Sequence, residues 1–378
     1  MELHGVLPPQ EVYRGWMSSR VNHSGVESTV IRRTVNVMIS RREFVRATPL
    51  ALGSLLAAPA LEATDSAGTP PVIGRSTRRA RPGDGVATLD MGRRQGVRIL
   101  QLTDNHFFCG VEKGLTITND DQATERDWQA LVRHFRPDLI MATGDLWHDN
   151  PGGRGQASLE HILPKLERLE VPWATCWGNH DQLDDFQRGH DSLEAARNSL
   201  YRGGATHGDY RIEIRTASAP GRPAAQLGVM NSNQFGLTDW QLAWLRRTQA
   251  ELDASGQTAA PALAFFHIPL LDQKTLYRPR QTPGLCHEEV CFEKESGRAL
   301  PVLAERRSIR ACFCGHDHVN DYAVRARDVD LVYGRATGHA GYGGEKVRKG
   351  AKLIELDLVR GAYTQITVFA DGTHWKPA

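Results

Sequence analysis

Five separated motifs in this chain carry side chains of the metal-binding kind. They are Asp104-Asn105-His106, Gly144-Asp145, Gly178-Asn179-His180-Asp181, a lone His267, and Gly315-His316-Asp317-His318. Singly each is a weak signal. Asp-x-His occurs at surface turns, a strand-end histidine such as His267 is commonly a hydrogen-bonded core residue, and Gly-Asp and Gly-Asn are ordinary turn pairs. Their joint occurrence is different, because each follows an apolar run. Turn chemistry alone gives no reason for histidine to stand at the end of so many such runs. The pattern predicts one crevice into which carboxylates, imidazoles and a carboxamide converge.

The runs that must position these motifs read as strands at 97–102, 139–142, 172–176, 263–266 and 312–314, with further strands at 211–214 and 227–230. The helical spacing of Trp128, Leu131, Val132 and Phe135 predicts a helix over 127–135, ended by Pro137, and a second helix is expected over 159–169. Strands alternating with helices argue for βαβ units and a largely parallel sheet. In open α/β sheets ligands sit outside the carboxyl ends of the strands, which is where the motifs fall. Gly144, Gly178 and Gly315 each precede a ligand candidate, where the backbone is expected to turn sharply off the strand. The tail crowds strand candidates at 322–326, 331–333, 352–358 and 363–369, which suggests antiparallel completion of a second sheet.

The five blocks together make the chain, from about Arg98 onward, resemble the calcineurin-like metallophosphoesterases. Phe266-His267-Ile268-Pro269-Leu270 and Gly315-His316-Asp317-His318-Val319-Asn320-Asp321 look like the subgroup related to purple acid phosphatases. True purple enzymes have tyrosine three residues after the Gly-Asp aspartate and glycine in place of His106. Here the tyrosine position is His148, which implies a colourless enzyme with a histidine at its first metal. The resemblance implies an α/β fold, a four-layer αββα sandwich of two mixed sheets flanked by helices. It also implies a dimetal phosphohydrolase, with Asp104, His106, Asp145 and His318 on the first ion. The second ion would take the shared Asp145 together with Asn179, His267 and His316. Two ions about 3.5–4 Å apart neutralise the anionic ester, lower the pKa of a bound water and orient in-line displacement. A hydroxide bridging them would attack phosphorus. Mixed nitrogen and oxygen ligands suit Fe, Mn, Zn or Co, and suit Ca or Mg poorly.

His180 directly follows Asn179 and is expected to project into the same crevice, where it would stabilise phosphoryl oxygens and protonate the leaving alcohol. Such acid–base roles are worth about 10²–10⁴-fold. Asp181 has two readings: it orients His180, or it caps a helix before Leu183. His148 lies near the first metal, or is exposed in the loop 147–155. His339, in Gly338-His339-Ala340-Gly341-Tyr342, touches substrate phosphate or is a turn residue, and Asn105 is a further candidate substrate contact. Asp317, Asn320 and Asp321 read as supports of the ligands or as turn residues. Cys286 and Cys291 are close enough in sequence for a loop disulfide after export, Cys109 reads as free, and Cys312 and Cys314 share one strand face in the core. No matching Cys/His pair makes the last two a zinc site. No Walker A loop, dinucleotide fingerprint or Gly-x-Ser-x-Gly elbow occurs.

The 378 residues are 40% hydrophobic and 24% charged, the composition of a globular protein that rests on a hydrophobic core. Residues 38–63 read as a twin-arginine export signal: Arg41-Arg42, an uncharged apolar stretch, then Ala58-Pro59-Ala60, with Ala63 as a second cleavage point. Residues 1–37 then form a disordered upstream extension, with both Met1 and Met38 open as starts. Residues 64–85 read as a flexible linker and 86–378 as the metallophosphoesterase domain. Removing the first sixty residues takes away seven Lys/Arg and four Asp/Glu and turns a formal +2 into −1. That balance, with few aromatics, argues against nucleic acid as a partner. No apolar run in the body of the chain is long enough to span a membrane. The expected partners are a small phosphate-ester substrate and the twin-arginine machinery, and the expected location is periplasmic or secreted. The leading function is a phosphatase on phosphomonoesters. A phosphodiesterase on nucleotides or phospholipid-type esters is the second reading, to be decided by loops 182–210 and 272–298. A non-catalytic binding protein on the same fold is the third, and the intact ligand set with His180 speaks against it.

Overall fold

In the computed structural model, residues 72–73, 85–256 and 260–377 are described; the stretches read as an export signal and an upstream extension lie outside them. Within the stretch read as linker, Val72–Ile73 (β1) pairs antiparallel with Val86–Asp90 (β2). The expected βαβ units follow as β3 (Gly96–Leu102), α1 (Asn119–Phe135), β4 (Leu139–Thr143), α2 (Gly155–Glu167) and β5 (Trp173–Cys176), with β3, β4 and β5 parallel. Helix α1 starts well before the expected residue 127 because its first turns are polar and carry no apolar spacing. A capping box starts it instead: Asp121 N–H donates to Thr118 Oγ1 at 3.0 Å and Thr118 N–H donates to the Asp121 carboxylate at 2.8 Å. It ends on Arg136 in the left-handed region, just before Pro137.

The chain continues through α3 (Phe186–Ala195), β6 (Tyr210–Arg215), β7 (Ala225–Val229), α4 (Asp239–Ala254), β8 (Ala262–Phe265), α5 (Leu271–Leu276), β9 (Gly284–Cys286), α6 (Ala299–Glu305) and β10 (Ile309–Cys314). The tail supplies β11 (Asn320–Ala326), β12 (Val329–Tyr333), β13 (Ala351–Asp357), β14 (Tyr363–Val368) and β15 (His374–Trp375). Two mixed sheets result. One runs β1-β2-β6-β7-β8-β10-β12-β11-β9 and the other β15-β14-β13-β3-β4-β5. The tail therefore does not complete one second sheet. β11 and β12 join the larger sheet, while β13 and β14 extend the smaller one, where β13 lies antiparallel along β3 from Gln101 to Gly96. Val97, Ile99, Leu100 and Leu102 of β3 are all buried. Left as an edge, that strand would expose a row of unpaired backbone groups beside apolar side chains.

Strand alternation divides the interior in two. Leu263 and Phe265 of β8, Ala311 and Phe313 of β10 and Val332 of β12 join the β3–β5 strands and Trp128, Leu131, Leu159 and Ile162 of α1 and α2 in one apolar cluster. The opposite residues, Ala262, Ala264, Cys312, Cys314, Leu331 and Tyr333, pack with Leu242 and Leu245 of α4 and Leu300 and Leu303 of α6. This is the period-two pattern of strands covered on both faces, and it yields the four layers expected. Cys312 and Cys314 pack on the shared face, and Cys109, Cys286 and Cys291 are free thiols. Among the described residues no helix is long and apolar enough to cross a membrane.

Candidate active site

The smaller sheet delivers the first three motifs at the carboxyl ends of β3, β4 and β5, and the larger sheet delivers His267 after β8 and His316 after β10. The crevice thus lies where the ends of both sheets meet. Polar bonds hold the two rims together. Gln101 Nε2–H donates to Cys314 O and Thr143 Oγ1, both at 2.9 Å, and His267 Nδ1 lies 2.8 Å from Thr143 O. Asp104, His106, Asp145, Asp149 and His316 all have φ between 48° and 79°. Left-handed backbone at so many non-glycine residues is the strain that functional sites store. The three glycines meet two different needs. Gly144 turns the chain with φ +85°, and a Cβ there would also lie 2.6 Å from His267 Nδ1; Gly178 and Gly315 have no such φ, but a Cβ would lie 2.2 Å from Asp145 Oδ1 on the first and 1.9 Å from Thr103 Oγ1 on the second. At those two positions the need is close approach, not a turn.

The structure brings the predicted ligands together. Asp145 Oδ2 lies 3.3 Å from His106 Nε2 and 3.2 Å from His267 Nε2, so one carboxylate oxygen faces both halves of the centre. On one side His106 Nε2 is 3.1 Å from His318 Nε2, and Asp104 Oδ1 is 3.5 Å from His318 Nε2. On the other, His267 Nε2 is 2.9 Å from Asn179 Oδ1 and 3.3 Å from His316 Nδ1. His318 is held by Tyr342, whose ring stacks on it at 3.9 Å and whose carbonyl lies 3.1 Å from Nδ1. Tyr342 is fixed in turn by donating its hydroxyl to Glu288, and by Lys349 Nζ–H donating to its carbonyl at 2.7 Å. Glu293 Oε1 lies 3.6 Å from the outer nitrogen of His316. Glu288 and Glu293 come from the 272–298 stretch, whose sequence carries no pattern that marks them.

Asp104 and Asp145 are almost wholly buried, and among the described residues their ion pairs are with histidines alone. Burial pushes the Asp104 carboxyl up; burial opposes the Asp145 charge too, but His267 and His106 together outweigh it and hold that carboxyl well below the carboxylate range. Burial also opposes charge on His267, but the Asp145 carboxylate overrides it and holds the imidazole up at about 10. Burial, then the His267 charge, pushes His316 down to about 3. Among the described residues no Lys or Arg pairs with either buried carboxyl. Asp104, His106 and His318, and again Asp145, His267 and His316, each converge within 4.8 Å. Such carboxylate and imidazole sets fit two transition-metal cations, which would supply the missing positive charge.

His180 stands at the rim, part exposed. Its N–H donates to Asp145 Oδ1 at 2.9 Å, and its Nδ1 lies 2.8 Å from Asp149 Oδ1. Asp149, absent from the sequence reading, is therefore the carboxylate that orients His180. Its only signal was an acid four residues past Asp145. Asp181 neither orients His180 nor caps a helix. Its carboxylate is buried and accepts from Gly178 N–H at 2.8 Å, Leu146 N–H at 2.7 Å and Trp147 N–H at 3.3 Å, lacing the loop after β5 to the loop after β4. Burial and then the Asp145 charge push it up to about 7. The acid that caps α3 is Asp185, accepting from Gln187 and Arg188. Asn105 is fully buried; its side-chain oxygen accepts from Trp128 Nε1–H at 2.9 Å, which ties it to α1, and its Nδ2 has no hydrogen-bond partner among the described residues. His339 pairs with Asp127 of α1 at 2.8 Å and ties the glycine-rich loop to that helix. His148 lies against His106 and His180.

A family model described as calcineurin-like phosphoesterase matches residues 97–320, more than half of the chain. The chain is 30% identical over 313 residues to an Arabidopsis thaliana protein named probable inactive purple acid phosphatase 28, covering 71% of this chain and 77% of that one. It is 26% identical over 307 residues to 3',5'-cyclic adenosine monophosphate phosphodiesterase CpdA of Escherichia coli, covering 77% of this chain and 92% of that one. A solved dimetal phosphatase from Danio rerio is 14% identical, covers 72% of this chain and 98% of that one, and superposes with a TM-score of 0.47. The family match over the residues that build the crevice leads to one conclusion: the chain belongs to the calcineurin-like phosphoesterase family and is a metal-dependent phosphoric ester hydrolase.

Proposed function

We propose that the chain is an exported phosphomonoesterase with two transition-metal ions. The observation that carries the reading is the placement of Asp145 Oδ2 within 3.3 Å of an imidazole nitrogen on each side. Asp104, His106 and His318 with Asp145 would hold one ion, and Asn179, His267 and His316 with Asp145 the other. Bound there, the pair supplies charge neutralisation and an activated nucleophile at neutral pH. The chain supplies the rest. Asp149 takes the Nδ1 proton of His180 as a hydrogen bond, which leaves Nε2 as the nitrogen that delivers a proton to the leaving oxygen. The bond from His180 N–H to Asp145 fastens the acid to the shared carboxylate. Asp181 keeps the two loops in register.

The phosphomonoesterase reading is supported by relatives named as phosphatases, including one from Saccharomyces cerevisiae that is 27% identical over 266 residues, covering 60% of this chain and 45% of that one. The relative named as a cyclic nucleotide phosphodiesterase supports the second reading, a phosphodiesterase. Arg41-Arg42 and the apolar stretch after it support export. A panel of aryl phosphomonoester and bis-aryl phosphodiester decides between the two enzyme readings, repeated after chelation and add-back of Mn, Fe, Zn or Co. The monoester is expected to turn over faster, with activity lost on chelation and restored by one of these ions. Activity that survives both thorough chelation and Asp145→Asn would sink the dimetal reading. Replacing Arg41 and Arg42 by lysine is expected to trap the protein inside the cell; unchanged fractionation would defeat export.

A further inference from the structure

We propose that His148 is a positioning residue that links one carboxylate, Asp149, to both the metal-ligand candidate His106 and the acid His180. Three contacts carry this. His148 Nδ1 lies 2.9 Å from His106 Nδ1, on the side of that ring away from Asp145 and His318. The His148 ring lies over the His180 ring at 4.4 Å and 19°, a parallel stack. Its outer nitrogen, Nε2, faces Asp149 Oδ2 at 3.7 Å and Glu112 Oε1 at 3.9 Å. The proton order follows from chemistry. A histidine that ligates through Nε2 keeps its proton on Nδ1, so His106 Nδ1–H donates to His148 Nδ1. The remaining His148 proton then sits on Nε2, toward the two carboxylates. Asp149 divides its oxygens accordingly, Oδ1 to His180 and Oδ2 toward His148. The backbone holds the ring in place, with His148 N–H donating to Phe107 O at 3.1 Å. A carboxylate–histidine–histidine chain therefore backs the first ion, and its middle ring also sets the tilt of the acid.

The proposal rests on the reading of His106 as a ligand, and the test separates the two. The full chain is stripped with chelator and titrated by calorimetry with Mn²⁺ alone and Zn²⁺ alone, with circular dichroism as the check of folding. The parent is expected to take two ions. His148→Phe keeps the stack and loses the bond, and is expected to weaken one of the two sites about 10–100-fold, leaving the other unchanged. His148→Asn keeps an acceptor at the Nδ1 position and loses the stack. It is expected to bind both ions nearly as the parent does but to discriminate more steeply against poor leaving groups. A folded His148→Phe protein with parent affinity at both sites overturns the proposal. If that variant does not fold, His148→Asn decides: parent affinity with steeper leaving-group dependence supports the link, and weakening of both sites overturns it. A parent that takes fewer than two ions defeats the ligand reading itself, and the link falls with it.

Discussion

His180 and Asp149 reach each other from loops on different strands, and their bond assigns the proton side of the site. Removing the imidazole removes the donor, so His180→Ala is expected to lower kcat about 10²–10⁴-fold for an alkyl phosphate, with a smaller loss for nitrophenyl phosphate, whose leaving group needs little protonation. Asp149→Asn leaves the ring but loosens it, and is expected to cost about 10–100-fold with the same leaving-group pattern. A plot of log kcat against leaving-group pKa checks both; a parallel drop for all leaving groups would remove the acid role from His180. Residue scale is also where the sequence misled. Asp181 neighbours His180 in the chain, yet its carboxylate turns back onto three backbone N–H groups. The carboxylate that does the orienting lies 31 residues away.

The elements carry the site by bringing strand ends closer than any side chain would allow. Gly315 after β10 sits against Thr103 and Asp104 after β3, one from each sheet. Gly315→Ala would push a methyl group to 1.9 Å from Thr103 Oγ1 and 2.7 Å from Asp104 Oδ2. The cost is expected to be about 1–3 kcal/mol together with loss of one bound ion. Gly228→Ala, within β7 with nothing near its added methyl, is expected to stay within about 1 kcal/mol of the parent. Urea midpoints with metal analysis compare the two; equal stability and full metal content in both would show that the approach of β10 to β3 is not needed. The βαβ elements were legible because buried strands and amphipathic helices repeat locally. The start of α1 was not, because the Thr118–Asp121 box is a polar signal without apolar spacing.

At the scale of the whole molecule, a buried ion cluster joins the two sheets. Asp321 of β11 accepts from Arg335 Nε–H at 2.8 Å and from Thr367 Oγ1–H of β14 at 2.7 Å, and pairs with Lys352 of β13. Each is nearly inaccessible to solvent. Asp321→Ala would strand two buried cations, at about 3–5 kcal/mol, measurable as a lowered urea midpoint; an unchanged midpoint would show that water or other acceptors replace the carboxylate. The pH dependence has a definite sign. Burial opposes the Asp321 charge, but Lys352 and Arg335 outweigh it and hold the carboxyl below its ordinary value. Its contribution is therefore complete above about pH 4, the unfolded carboxylate range, and is lost as pH falls through the lower folded value.

The chain's linear order was enough to mark the strand ends that bear metal-type side chains, because an apolar run followed by Asp, Asn or His, with glycine before three of them, is a local pattern. It also determined the alternation of strands and helices that makes the parallel β3–β5 units. Only the tertiary structure decided that β13 closes the edge of β3, that Asp149 and not Asp181 holds His180, that Asn105 and His339 bond to α1, and that Tyr342 and Glu288 brace His318. Each of these is a hydrogen bond or contact whose partner is chosen by direction and distance through space, and neither quantity is written in the spacing of residues along the chain.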